Sequence, residues 1–363
     1  MDGTKKGTKT IVLTGGGTAG HVTPNLALLP ALKEKGYHIC YIGSKGGMEE
    51  GLVKKAGVPY YGISSGKLRR YLSKENLTDA FRVVKGIWEA DRLLKKLKPD
   101  LIFSKGGFVA VPVVLAAKKR GIPVVAHESD LTPGLANRIA MPFAKAVCTT
   151  FMETAAQIPG GKGVCTGTPI RKELFAGDRA KGLELLGFTP DRPVLLVMGG
   201  SMGSVKINTC LREILPELLK TYQVAHLCGK GNVDASWAKV SGYYQAEYLS
   251  GELPYVFAAA DAVAARSGSN SISEFLALRI PMLLIPLSAK ASRGDQILNA
   301  ESFQKQGYAL VLKEEEMTGE TLRKAIDQLF AQKETLRAAM GKSPQKDGVA
   351  AVMAVLEKNV RKS

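Results

Sequence analysis

The chain has 363 residues, 45% of them hydrophobic and five of them cysteine, and a formal net charge of +17. At about 100–200 residues per domain that length reads as two domains with a sizeable core, and the scattered Cys40, Cys148, Cys165, Cys210 and Cys228, with no C-x-x-C pair, argue against a zinc or redox site and for a reducing compartment. The charge calls for an anionic partner, and with no zinc-finger or RNP-like pattern nucleic acid is the weakest choice, behind a phosphate-bearing substrate or an anionic membrane face.

The apolar runs 109–117 and 281–287 fall far short of the roughly 20 residues that cross a bilayer, and the basic 1–9 segment has no signal-peptide core. A cytoplasmic protein is therefore expected. The first strand is Thr10–Thr14, followed by a glycine-rich turn and a helix over 24–35. A second strand covers 38–42. A helix over 78–97 stops before Pro99, and 100–103 is the next strand. A helix over 109–120 and a strand over 123–126 follow. The pattern then restarts: strand 193–198, glycine-rich turn 199–204, helix 205–220, and strands 224–228, Ala262–Ala265 and 282–285. Short apolar strands alternating with amphipathic helices predict an α/β chain of two doubly wound, Rossmann-like domains. Their ligands would bind beyond the carboxyl ends of the strands, on the two walls of one cleft. The expected division is 1–168, a linker over 169–192, and 193–344, with a basic helical tail over 345–363 returning to the first domain.

Several motifs sit at these turns. Residues 15–20 read GGGTAG and satisfy G-x-G-x-x-G. A dinucleotide site would also need a carboxylate near the end of the second strand, but that strand ends in Ile42-Gly43-Ser44-Lys45. The turn is better read as an amide nest for a phosphate, with a bare tight turn as the alternative. His21 follows at the same mouth. Residues 199–203 read GGSMG, a literal nucleophile elbow. The only later histidine is His226, and Glu213 and Glu217 lie on the intervening helix, so Ser201 reads as a phosphate donor instead of a nucleophile. Residues 266–274 read RSGSNSISE. Small residues there expose amides to a phosphate, and Glu274 can accept from a ribose diol. The alternative is an ordinary helix cap made by Ser271 and Glu274.

Residues 67–98 mix lysine and arginine with Leu77, Phe81, Val84, Ile87 and Trp88 at helical spacing, with Phe81, Val84 and Ile87 expected on one face and Leu77 a turn earlier. A core-facing helix with a solvated basic face is one reading, and an amphipathic patch on an anionic inner-membrane surface is the other. The excess of basic charge favours the second. Of the four histidines, His38 and His226 read as structural, whereas His21 and His127 can be bases or phosphate partners.

Taken in order, GGGTAGHVTPNLAL, YYGISSGKLRRY, FSKGGFVAVPV, HESDLTPGLANRIA, GTPIR, GGSMGS, RSGSNSISE and DQILNA resemble the MurG family of peptidoglycan glycosyltransferases, in its Gram-positive form, nearly end to end. The resemblance implies a GT-B fold and an inverting transfer of N-acetylglucosamine from UDP-GlcNAc to the undecaprenyl-diphosphate-linked lipid I. It implies no metal or other cofactor, and a peripheral place on the cytoplasmic face of the cell membrane. By the same resemblance Thr18, Ala19 and Gly20 lie near the transferred sugar and the acceptor diphosphate. Arg171 and Ser201 contact the donor, and Leu249 sits where the uracil is held. Ser269, Asn270, Ser271, Ile272, Ser273 and Glu274 hold the diphosphate and ribose, and Gln296 and Asn299 reach sugar hydroxyls. His21 is the first choice of base and Glu128 the second. Two positions depart from the family. His127-Glu128-Ser129-Asp130 stands where many members read HEQN, and Asp295-Gln296 stands where many have two glutamines.

Overall fold

The structure, a computed structural model, describes residues 8–66, 74–200, 202–289, 294–345 and 347–361, with the side chains of 74–80 left out. Contacts divide the chain into two units, Met1–Arg171 with Asp347–Ser363, and Lys172–Lys346.

The first unit holds β1 (Thr10–Thr14), β2 (His38–Ser44), β3 (Tyr60–Ile63), β4 (Leu101–Ser104), β5 (Val124–Glu128), β6 (Ala146–Thr149) and β7 (Gly163–Cys165). They form a parallel sheet in the order β3-β2-β1-β4-β5-β6-β7. Both faces are covered, so the central strands are apolar throughout instead of alternating. Ile11 and Leu13 point into one layer, where the helix Gly348–Asn359 contributes Val352, Met353 and Leu356. Val12 points into the other, among Ala90, Leu94 and Val113. The tail helix thus completes the core of the first unit.

The second unit repeats the plan. Strands β8 (Val194–Met198), β9 (Gln223–Leu227), β10 (Tyr243–Ala246), β11 (Ala262–Ala265), β12 (Met282–Leu284) and β13 (Ala309–Val311) run parallel in the order β10-β9-β8-β11-β12-β13. Leu195 and Val197 pack with Ile207 and Leu211 on one helix and Ile326 and Leu329 on another.

Three local expectations change. The predicted helix over 24–35 is two short ones, Thr23–Ala27 and Leu29–Glu34, because Pro30 has no N–H to continue the first. Residues 169–192 are not a linker. They carry the helix Arg179–Leu186, and Gly177 and Gly182 lie so close to the helix Leu253–Ala259 that a Cβ on either would come within 2.1 Å of its backbone. The Ser271–Glu274 cap is also absent. The helix Ser269–Leu278 is capped by Gly268 with no side-chain bond, which puts Ser271 inside the first turn.

Candidate functional site

In both sheets the strand order reverses beside the first strand, between β1 and β4 and between β8 and β11. A doubly wound sheet receives its ligands at that switch point. Both glycine-rich turns leave the sheet there.

At the first switch point the turn is built from below. Gly17 takes φ +85°, a conformation open to glycine. Gly16 leaves room for the Glu49 carboxylate, since a Cβ there would stand 2.3 Å from Oε1. Glu49 is fully buried and accepts from the Ser44 N–H at 2.8 Å and the Gly17 N–H at 3.3 Å. The Tyr41 hydroxyl donates to the Gly15 carbonyl at 2.7 Å, and Asn25 Nδ2 donates to that hydroxyl at 3.1 Å. Thr18 and Ala19 are exposed at the rim, with Gly20 half-buried behind them.

His21 is half-buried in the short turn Ala19–His21. Its Nδ1 lies 3.1 Å from the Gly16 carbonyl and 3.1 Å from the Thr18 hydroxyl. A carbonyl only accepts, so Nδ1 carries the proton and Nε2 is the basic nitrogen of the neutral ring.

The loop after β4 closes against this turn. Gly107, at φ +81°, leaves no room for a side chain, because a Cβ would meet the Gly16 carbonyl oxygen at 2.3 Å. Lys105 is buried and its Nζ donates to the Ser129 hydroxyl. At the end of β5, Glu128 Oε1 accepts from the Asp130 N–H at 3.0 Å. Its Oε2 accepts from the Gly134 N–H at 3.1 Å and Asn137 Nδ2 at 2.9 Å. Burial raises the pKa of this carboxyl. Both oxygens thus help to hold the loop that follows. His127 is not a site residue. It is fully buried, Nε2–H donates to the Gly167 carbonyl at 3.0 Å, and burial holds its pKa well below the usual histidine value. His226 is a core histidine between the Tyr243 hydroxyl (2.8 Å) and Asn208 Oδ1 (2.9 Å), and burial pushes its pKa down to about 3.

At the second switch point, Gly203 takes φ +75° directly against the Cys228 carbonyl, and Ser204 caps the next helix. Ser201 lies outside the described residues. Arg266 organises the floor. Its Nη1 donates to the Ile285 carbonyl at 3.1 Å and its Nη2 to the Ser204 hydroxyl at 2.7 Å. It also pairs with Glu314, whose Oε2 accepts from the Ser288 N–H at 3.0 Å. Behind it, the helix Ser269–Leu278 points its N-terminus out of the sheet.

Along that helix Asn270, Ser271 and Glu274 are partly open to solvent. Ile272 is fully buried, and the Ser273 hydroxyl donates to the Ser269 carbonyl at 2.7 Å. Asn299 is fully buried too, with Nδ2 donating to the Ser267 carbonyl at 3.3 Å. The implied sugar contact for Asn299 gives way to a support role, because its amide is out of reach of solvent. Gln296 is half-buried and spends Oε1 on the Leu287 N–H at 3.0 Å. Leu249, just past β10, and Arg171, at the end of the first unit, are half-buried.

The basic helix is Lys74–Leu97. Phe81, Val84 and Trp88 are 73%, 64% and 57% exposed, which removes the core-filling reading for that face. Arg92 lies over the Trp88 ring, 4.6 Å from its centroid. Ile87 is half-buried on the inward side, toward the buried Ala90 and Leu94. Trp88 therefore replaces it on the outward stripe. The Leu77 side chain is outside the described residues. Among the described residues no helix is long and apolar enough to cross a membrane.

Comparison with known proteins agrees with this architecture. Residues 11–149 match the glycosyltransferase family 28 N-terminal domain and 194–355 the family 28 C-terminal domain. A UDP-N-acetylglucosamine--N-acetylmuramyl-(pentapeptide) pyrophosphoryl-undecaprenol N-acetylglucosamine transferase of Lachnoclostridium phytofermentans is 59% identical over 96% of this chain and 98% of its own. The crystal structure of MurG from Acinetobacter baumannii superposes with TM-score 0.75 at 26% identity, covering 96% of this chain and 99% of that one. A UDP-N-acetylglucosamine 2-epimerase structure superposes with TM-score 0.68 at 13% identity over 97% of this chain and 95% of that one, a likeness of fold alone. With both halves matched in order and a full-length relative at that identity, the chain belongs to glycosyltransferase family 28.

Proposed function

We infer that this protein transfers N-acetylglucosamine from UDP-GlcNAc to the MurNAc 4-hydroxyl of lipid I, giving lipid II with inversion at the anomeric carbon. The observation that carries the reading is near full-length identity of 59% to a transferase bearing that name. The two glycine-rich switch points give each phosphate-bearing substrate a turn of backbone amides.

In this reading the acceptor's diphosphate meets the turn at Thr18, Ala19 and Gly20. His21 Nε2 takes the proton of the 4-hydroxyl as its oxygen bonds to the anomeric carbon. The bond from that carbon to UDP breaks, and the diphosphate keeps the electron pair. The amides at Ser269, Asn270 and Ser271, on the positive end of their helix, stabilise that leaving charge. Glu274 accepts from the ribose hydroxyls, Gln296 offers Nε2 to a sugar hydroxyl, and Arg171, Ser201 and Leu249 complete the donor site. Ile272, Ser273 and Asn299 hold its shape from inside. Glu128 supports the loop after β5 and stays the second choice of base, since its Oε1 accepts only the Asp130 N–H among the bonds given above.

The membrane contact in this reading is the stripe of Phe81, Val84 and Trp88, flanked by Arg82, Lys85 and Arg92. An apolar stripe rimmed with cations enters the headgroup boundary of an anionic leaflet. The chain would then work at the cytoplasmic face, where lipid I presents its diphosphate. The test is UDP release from UDP-GlcNAc with and without lipid I in anionic vesicles. Release only with the acceptor supports the transfer. Equal release without it points to hydrolysis and overturns the reading.

A further inference from the structure

The reaction above has no use for Lys105, yet the fold buries it to 1% exposure at the centre of the first switch point. Burying an ammonium is costly unless it is paired and hydrogen-bonded. Its surroundings meet that need. The Lys105 N–H donates to the Thr14 carbonyl at 2.9 Å, and its Cβ lies 3.2 Å from where a side chain on Gly15 would begin. Its Nζ donates to the Ser129 hydroxyl, across to the loop after β5. The titratable groups that face it are the carboxylates of Glu128 and Asp130, the Cys148 thiol and the His127 imidazole. His127 is neutral there, so the two carboxylates supply the countercharge.

We propose that Lys105 is a positioning residue for the lipid acceptor, its ammonium tying the Ser129–Asp130 loop to the glycine-rich turn and setting a fixed positive charge behind the turn that receives the diphosphate. The proposal rests on the transfer reading. The Ser129 hydroxyl gives the buried ammonium an acceptor, and Glu128 and Asp130 give it a countercharge. Burial brings the Lys105 pKa down to about 8. The charged tie is therefore complete well below that pH and lost as pH rises through it.

The test is steady-state transfer by the full chain in anionic vesicles, with lipid I varied at saturating UDP-GlcNAc between pH 6.5 and 9.5. Lys105→Met keeps the volume and removes the charge. It should raise the acceptor KM by about tenfold to a hundredfold, the worth of a charge-assisted contact, while UDP affinity is unchanged. The rise in acceptor KM above about pH 8 in the unaltered chain should disappear in this variant. If Lys105→Met does not fold, Ser129→Ala is read instead. Removing an acceptor of the charged form should move the alkaline rise to lower pH. An acceptor KM and pH profile equal to those of the unaltered chain, in whichever variant is read, overturns the proposal alone. No transfer by the unaltered chain overturns the transfer reading and this proposal together.

Discussion

The carbonyl of Gly16 decides what His21 can do. Because it accepts from Nδ1 at 3.1 Å, the basic lone pair sits on Nε2. His21→Ala should lower kcat by roughly 10²–10⁴ and leave UDP affinity nearly unchanged, by steady-state kinetics and calorimetry. Little change in kcat would reduce His21 to a turn residue. On the donor side, Glu274→Ala should weaken UDP binding by about tenfold to a hundredfold, the loss of a charged acceptor for a diol; equal calorimetric affinity would contradict that role. Glu314 predicts a stability effect instead. It and Arg266 are 12% and 10% exposed, so Glu314→Ala strands a mostly buried guanidinium. Unfolding of the second unit should cost about 3 kcal/mol less, seen as a lower denaturant midpoint. The sequence offered His21, Glu274 and Gln296 as candidates because each lies within a motif that points to a ligand. It did not single out Glu49, Lys105 or Glu314, although Lys105 lies within FSKGGFVAVPV. Each acts on a partner 32, 24 or 48 residues away, and on a linear chain each looks like an ordinary surface charge.

Among the elements, the helix Lys74–Leu97 carries the clearest division of faces. Gly86 presses on the Ser64 carbonyl while Phe81, Val84 and Trp88 turn outward. Replacing those three by serine opens no core cavity, so the thermal transition and UDP affinity should hold while binding to anionic vesicles falls. Binding by the unaltered chain should also weaken with salt, since each nearby basic residue adds about 1 kcal/mol that screening removes. Vesicle binding that survives the triple change would move the membrane contact elsewhere. Helical spacing found this helix, but it put Ile87 on the outward face, where the structure has Trp88. The central strands were legible as apolar runs, except β6, whose buried AVCT is only four residues and mixes in Cys and Thr. The edge strands β3, β7, β10 and β13 were not, because YYGI, GVC, YYQA and ALV are short and half-buried. The alternative reading of Ser271 as a cap failed for a related reason. Gly268 starts the helix three residues earlier than the S-x-x-E spacing implies.

For the whole molecule, the repeated strand–turn–helix openings announced two doubly wound units, and both sheets share the order that places a switch point beside their first strand. The boundary was harder to read. Charge and proline at 177–193 look like a linker, but Gly177 and Gly182 are there to let one helix lie against another. The same architecture also occurs in an epimerase that acts on UDP-N-acetylglucosamine, so architecture alone does not separate transfer from epimerisation. The lipid product does. After incubation with UDP-GlcNAc and lipid I, mass spectrometry of the extracted lipid should show the gain of one N-acetylhexosamine, with no change in the sugar of UDP-GlcNAc when the acceptor is omitted. An unchanged lipid mass, or an epimerised nucleotide sugar formed without acceptor, would contradict the account.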